Sequence, residues 1–332
     1  MKPYLMYSRV SSVTGKALCE ALDWSGGTGA PPKGCLTLVR WGNSYAPDID
    51  VSISALGGRV YNTARGVESV VNRRNMLLLV RDSTPHSLRV TRSSQEFSRE
   101  DSWIGRHFFG RWGRDIIDTT VPGFRLPTDG YFLVERWPAD FEVRVHLMTS
   151  PSVVSLAMQI KLRKDDQGDP VYALSPDSNG AIGQLTIRNE DNGWHLYPLS
   201  SSQALALGID KNSIRDTARQ CLRGFGLAFG CVDFLVRVPG SPLNGSTPGP
   251  VFRVLELNTA PGLRGSTLDA YVNGFRNLIN QQPAQPIEGG VLSQRGLVSA
   301  LNNLRQYPGN SIWANPQNVT ASRSTPRARR IS

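Results

Sequence analysis

The chain has 332 residues, 39% hydrophobic and 19% charged, with 32 Gly and 22 Pro. That composition supports two domains, or one large domain with a small partner, and excludes coiled-coil, collagen-like and wholly disordered classes. With 37 Lys and Arg against 27 Asp and Glu the formal charge is +10, so the surface should attract an anion such as nucleic acid, nucleotide or phosphate.

No apolar run approaches the roughly 18 residues of a membrane span, and the opening MKPYLMYSRVSS lacks the apolar stretch of a secretory signal. Cys19, Cys35, Cys221 and Cys231 show no C-x-x-C spacing. The expectation is a cytoplasmic protein with reduced, mostly buried cysteines. His86, His107, His146 and His195 are too scattered for a histidine-based zinc site, so any metal should be oxygen-ligated.

Along the chain, the first segment alternates short apolar strands with helical patterns, as α/β units do. A helix capped by Ser12 or Thr14 runs through Lys16, Ala17, Leu18, Ala21 and Leu22; the Gly/Pro-rich run from Gly26 to Gly34 breaks it; and Cys35 to Trp41 reads as a strand. Asn62 to Val80 is a second helix by pattern. Beyond Pro85 the pattern turns to β, with strands expected at Leu88 to Thr91, Trp103 to His107, Tyr131 to Glu135 and Glu142 to Met148. Ser152 to Leu162 reads as a strand pair, and Asp165 to Gly193 as loops with an exposed hairpin. Ser213 to Leu227 reads as a helix in which Ser213 and Asp216 resemble a capping box. Strands at Cys231 to Val238 and Val251 to Asn258 follow. The stretch from Asn315 to Ser332 has Arg323, Arg327, Arg329 and Arg330 and no acid; it reads as a disordered basic tail, solvated or in weak non-specific contact with nucleic acid.

Three constellations carry chemistry. Side chains two apart on a strand share a face, so Glu256 and Asn258 lie together, and Asp233 joins them if the last two strands pair as a hairpin. Two carboxylates and an amide oxygen suit Mg²⁺; the bland alternative is a strand face turned to solvent. Earlier, Gly105 to Arg114 is a glycine loop studded with Arg106, Arg111 and Arg114. There Gly110 and Gly113 let a backbone approach phosphate, unless the loop is simply a turn with a basic rim. Between them, Trp137-Pro138 separates a strand ending at Glu135 from one beginning at Glu142 and looks like a hinge between lobes. Glu135 can accept from nucleotide hydroxyls or amine, while Glu142 and Arg144 form either a site or a solvated face.

Taken in order, the three resemble an ATP-grasp enzyme. The sequence LELNTAPGL followed by GSTLDAY resembles the family's E-x-N-T-x-P-G motif with its downstream Ser/Thr, and VDFLV resembles the strand carrying the preceding Asp. The stretches RWGNS, VYNTARGVESVVNRRN, GRHFFGRWGRDI and FEVRVHL look most like carboxylate:amine ligase types encoded by bacteriophages. The resemblance covers about Tyr4 to Tyr271. It implies an α/β (α+β) ATP-grasp fold in which two α+β lobes grip ATP behind a small N-terminal α/β pre-ATP-grasp domain. The division expected is residues 1–80 for that domain, 81–136 for the lid with its glycine loop, 137–282 for the subdomain with the Mg²⁺ site, and 283–332 for an extension with the basic tail.

The resemblance also implies roles. Asp233, Glu256 and Asn258 would bind Mg²⁺; Gly110, Arg111, Gly113 and Arg114 would close over the ATP phosphates; Glu135, Trp137 and Glu142 would lie near adenosine. Lys161 would be the basic group near phosphates and adenine, and Arg264 with Ser266 or Thr267 would reach the acceptor or acylphosphate. Arg73 and Arg106 stand where the family places phosphate-binding lysines, and arginine keeps the charge while changing the geometry. The reaction implied is ATP-dependent ligation of a small-molecule or peptide carboxylate to an amine through an acylphosphate. A non-catalytic nucleotide-binding or virion-associated protein that kept the fold is the alternative.

Overall fold

Four buried residues in a row make β1 (Tyr4–Tyr7) a strand covered on both faces, as a parallel sheet requires. A computed structural model of the chain describes residues 2–91, 103–109, 116–119, 130–149, 154–171, 188, 190–239, 241 and 252–280, all within the unit formed by residues 1–290. After β1, Ser12 Oγ accepts from Gly15 N at 3.1 Å and caps α1 (Val13–Leu22). Thr14, the other candidate cap, instead accepts from Leu263 N through its hydroxyl. This helix ends before the glycine-rich run, at Asp23, whose left-handed backbone (φ 54°) turns its N–H back onto Glu20 O; the run itself begins inside β2 (Ser25–Gly27). With β3 (Thr37–Trp41), α2 (Asp48–Ala55) and β4 (Arg59–Tyr61) this completes a four-stranded parallel sheet in the order β2-β1-β3-β4.

The expected helix from Asn62 to Val80 is two helices, α3 (Ala64–Val71) and α4 (Arg73–Ser83). Asn72 breaks it: its backbone is extended and its side chain accepts from Asn75 N at 3.1 Å, so a good cap residue starts a new helix where periodicity alone runs on. Leu88 to Thr91 forms no strand; Ser87 and Val90 make single bridges to Val254 and Val134. Next comes a small antiparallel sheet, β6-β5-β7, from β5 (Trp103–His107), β6 (Ile116–Asp118) and β7 (Tyr131–Glu135).

The largest sheet is antiparallel, in the order β10-β9-β8-β12-β13 with β11 also pairing to β9. Its strands are β8 (Phe141–Met148), β9 (Val154–Lys164), β10 (Pro170–Val171), β11 (Trp194–Pro198), β12 (Phe229–Val236) and β13 (Phe252–Asn258). The supposed strand pair at Ser152 to Leu162 is the single strand β9, and the polar stretch after it yields the β9-β10 hairpin. Helices α5 (Ser201–Ala206), α6 (Lys211–Gly224) and α7 (Ser266–Asn280) complete the unit. The cap of α6 is Asp210, which accepts from Asn212 N and Ser213 N, in place of the box expected from Ser213 and Asp216.

Valines and phenylalanines alternate along this sheet. Val143, Val145, Ile160, Val232, Phe234 and Val254 lie on one face, buried with Met76 and Val80 of α4 and Ile214, Ala218 and Leu222 of α6. The cysteines are free, and Cys35, Cys221 and Cys231 are buried. Among the described residues no helix is long and apolar enough to cross a membrane.

One buried charge holds the parallel sheet to its connection. Arg40, 0% exposed, donates to Asp50 Oδ1 from Nε (3.0 Å) and Nη2 (2.6 Å) and to the carbonyls of Tyr45 and Ala46. Asp50 Oδ2 in turn accepts from Ala64 N at 2.7 Å at the start of α3. Removing one partner of such a pair strands the other in the interior, so Arg40→Met should lower unfolding stability by about 3–5 kcal/mol in urea denaturation; a loss under about 1 kcal/mol would contradict the assignment.

Candidate functional site

The face of the large sheet opposite its apolar core is charged. Strand register sets Gln159 of β9, Arg144 of β8, Asp233 of β12 and Glu256 of β13 in one row across four strands. The adjacent rows add Glu142, and His146 with Cys231 and Asn258. Glu256 reaches this row through a bulge between Asp233/Phe234 and their partners: Asp233 pairs with Glu256 but Phe234 pairs with Val254, leaving Leu255 as the extra residue. Phe252, Val254 and Leu257 can therefore all belong to the core while Glu256 stays on the charged side.

Every carboxylate in this row has a cation. Asp233, 1% exposed, receives Arg144 Nε at 2.6 Å and Nη2 at 2.8 Å, a bidentate fork. Burial alone would raise the Asp233 carboxyl, but the Arg144 guanidinium holds it below its ordinary value. The same pairing overcomes burial to raise Arg144 well above its own. Glu142 is paired with Lys161, whose ammonium also donates to Arg188 O at 3.0 Å. Burial raises the Glu142 carboxyl against the charge of Lys161, and Asp233 adds to the rise. Glu256 takes Arg73 at 3.0 Å and Arg106 at 3.4 Å. Arg106 is buried, and burial with the neighbouring Arg73 pushes its guanidinium down to about 10. Its Nε and Nη1 have no partner among the described residues.

Both arginines arrive by local structure. Asn72 restarts the helix so that Arg73 is the first residue of α4, and Arg73 N donates to Phe108 O at 3.0 Å just beyond β5, the strand that carries Arg106. Behind the charged row, His146 is joined to the Tyr271 hydroxyl (3.2 Å) and the Gln159 carboxamide (3.0 Å), and Gln159 donates to Thr267 Oγ1 of α7.

Arg73, Arg106, Glu142, Lys161, Asp233 and Glu256 thus come together, with Asn258 on the same face. Asn258 Oδ1 accepts from Ala260 N at 2.8 Å. Glu135 is paired with Arg89, and Trp137 lies under the Arg237 guanidinium at 4.1 Å, in the connection between the two antiparallel sheets. Arg264 is exposed and pairs at 3.7 Å with Glu190; Ser266 is exposed at the start of α7, whereas its neighbour Thr267 is buried. Gly110, Arg111, Gly113 and Arg114, and the basic tail, lie outside the described residues. Sequence reading left Arg144 open between site and solvated face, and it missed His146, Gln159 and Arg188. Arg144 and His146 carried a signal, since Glu142, Arg144 and His146 occupy every second position of an otherwise apolar strand.

The donors at Asp233, Glu256 and Asn258 are all oxygens and fit Mg²⁺ in kind. Among the described residues, however, no three His, Cys, Asp or Glu side chains cluster as a ready metal site, and both carboxylates are engaged by arginine. Burial and the neighbouring Arg144 push the His146 imidazole down to about 4 from 6.5. Between those values the unfolded chain binds a proton that the native state refuses, so stability should fall as pH drops from about 6.5 to 4, by up to about 3 kcal/mol at the acid end. Urea denaturation across that window should show a flatter profile for His146→Gln, and matching profiles would contradict the neutral buried imidazole.

Comparison with protein-family models and with curated proteins finds no match. Among solved structures the chain is similar to the ATP-grasp ligase PsnB complexed with a minimal precursor, with 12% identity and a TM-score of 0.52 over 85% of this chain and 96% of that one. It is likewise similar to the D-alanine--D-alanine ligase of Bacillus anthracis, with 10% identity and a TM-score of 0.51 over 92% of this chain and 99% of that one. Likeness at such identities carries architecture and not reaction. With its parallel N-terminal sheet followed by a small and a large antiparallel sheet, the chain has the ATP-grasp fold.

Proposed function

We propose that the chain is an ATP-dependent carboxylate–amine ligase. The observation that carries this reading is the convergence of Arg73 and Arg106 on Glu256 beside the Arg144–Asp233 and Lys161–Glu142 pairs. A face so rich in fixed charge, on a fold shared with ligases, suits phosphoryl transfer, where positioning and charge neutralisation do most of the catalysis. In this reading a substrate carboxylate attacks the γ-phosphate, ADP leaves, and an amine then displaces phosphate from the acylphosphate to give an amide.

Arg73, Arg106 and Lys161 would hold the phosphates, Glu142 the ribose, and Glu135 and Trp137 the edge of the adenosine pocket. Asp233, Glu256 and Asn258 would hold Mg²⁺, which when bound neutralises phosphate charge. Arg264 and Ser266, both exposed beyond the end of β13, would meet the acceptor. The finer likeness to phage-encoded carboxylate–amine ligases rests on RWGNS, GRHFFGRWGRDI and FEVRVHL. Small-molecule and peptide substrates both fit the chemistry.

A second reading, a nucleotide-binding protein without turnover, draws on the bidentate Arg144 that closes Asp233. ADP release separates the two. A ligase should release ADP from ATP and Mg²⁺ only when pooled carboxylates and amines are added, and Asp233→Ala or Glu256→Ala should slow it at least about a hundredfold. ATP binding with no ADP release in any pool would favour the second reading.

A further inference from the structure

Glu256 has two competing uses. Its carboxylate takes Arg73 and Arg106, while the function proposed above gives that carboxylate to Mg²⁺ and those arginines to phosphates. Negative charge is in short supply around it. Among the described residues, four cations, Arg73, Arg106, Arg144 and Lys161, converge on three acids, Glu142, Asp233 and Glu256. Arg106 is 5% exposed, and its Nε and Nη1 have no partner among the described residues. Idle donors on a buried guanidinium are costly unless something fills them. Two guanidiniums sharing one carboxylate leave net positive charge for an incoming anion. A free divalent cation meets the reverse situation, since each carboxylate is already neutralised and the surplus charge repels it.

We propose that Arg73 and Arg106 form a phosphate-anion site that fills without metal, and that the anion frees Glu256, so that nucleotide binding creates the Mg²⁺ site. The inference rests on the nucleotide reading above but fails separately from it. Glu256 acts as a placeholder that satisfies the arginines until phosphate arrives, and Mg²⁺ enters only in company with the phosphates.

The test is calorimetric titration of the full chain with inorganic tripolyphosphate and with ATP, each in EDTA and in Mg²⁺, beside Mn²⁺ titration of the chain alone followed by electron paramagnetic resonance. Both phosphates should bind in EDTA. Glu256→Gln, which removes the competitor at a 20% exposed side chain, should tighten that binding roughly tenfold, and Arg106→Ala should weaken it by at least about as much. Mn²⁺ should not bind the chain alone. If Glu256→Gln leaves affinity in EDTA unchanged or lowers it, or if Mn²⁺ binds the chain alone as tightly as it binds with nucleotide, the exchange is overturned. Thermal melts check that each variant folds. Should Glu256→Gln not fold, tripolyphosphate with wild type and Arg106→Ala decides the matter: no binding in EDTA sinks the anion site. ATP bound only with Mg²⁺ and tripolyphosphate not at all would overturn this inference and spare the nucleotide reading. Tripolyphosphate bound in EDTA with ATP refused under both conditions would do the opposite.

Discussion

The large sheet is organised around a carboxylate in its middle. Asp233 is 1% exposed, on a strand flanked on both sides by others, and such a charge is tolerated only when a partner with matching geometry meets it. Arg144 does so because antiparallel register puts it directly across from Asp233 on the neighbouring strand. The same register brings Glu256 alongside from the other flank, and the bulge at Leu255 lets β13 keep Phe252, Val254 and Leu257 in the core while presenting that acid. The fold thus separates its two faces sharply: aliphatic packing against α4 and α6 on one, and a row of ion pairs on the other.

From this arrangement follows the electrostatic character of the site. The acids and bases are close enough to shift one another, with Asp233 held down and Lys161 and Arg144 held up. All three shifts follow from opposite charge prevailing over burial. Charges fixed in this way need little reorganisation when a charged ligand arrives, which is what a phosphoryl-transfer site requires. The positive excess among the described residues, concentrated where α4 begins and β5 ends, is the basis on which an anion is proposed to bind there, in keeping with the overall charge of +10. The choice of arginine matters here, because two forked guanidiniums can share Glu256 in a way that two ammonium groups would do less well.

Much of this was legible in the sequence. The pairing of the last two strands followed from their apolar alternation and from the Gly/Pro-rich connection between them, and Asp233 does stand opposite Glu256. The strands at Trp103, Tyr131 and Glu142 were equally clear. What sequence could not supply was the identity of each partner. Whether Arg144 faces water or Asp233 depends on which strand lies next to β8, and that neighbour is nearly ninety positions away along the chain. Asn72 was hidden because Asn72 to Asn75 read equally well as one polar turn of a continuous helix until Arg73 N is seen bonded to Phe108 O. The single strand β9 was read as a pair because Ser152 to Leu162 is too long for a typical strand, and α7 was missed because its apolar positions follow a motif that drew attention to chemistry first.

The central claim is that this charged face binds the phosphates of a nucleotide. A crystal structure of the chain with a non-hydrolysable ATP analogue and Mg²⁺ tests it most directly. The account predicts phosphate oxygens on Arg73 and Arg106, with Glu256 released from both and turned, with Asp233 and Asn258, toward the metal. A nucleotide seated elsewhere, with Glu256 still held by both arginines, would contradict it.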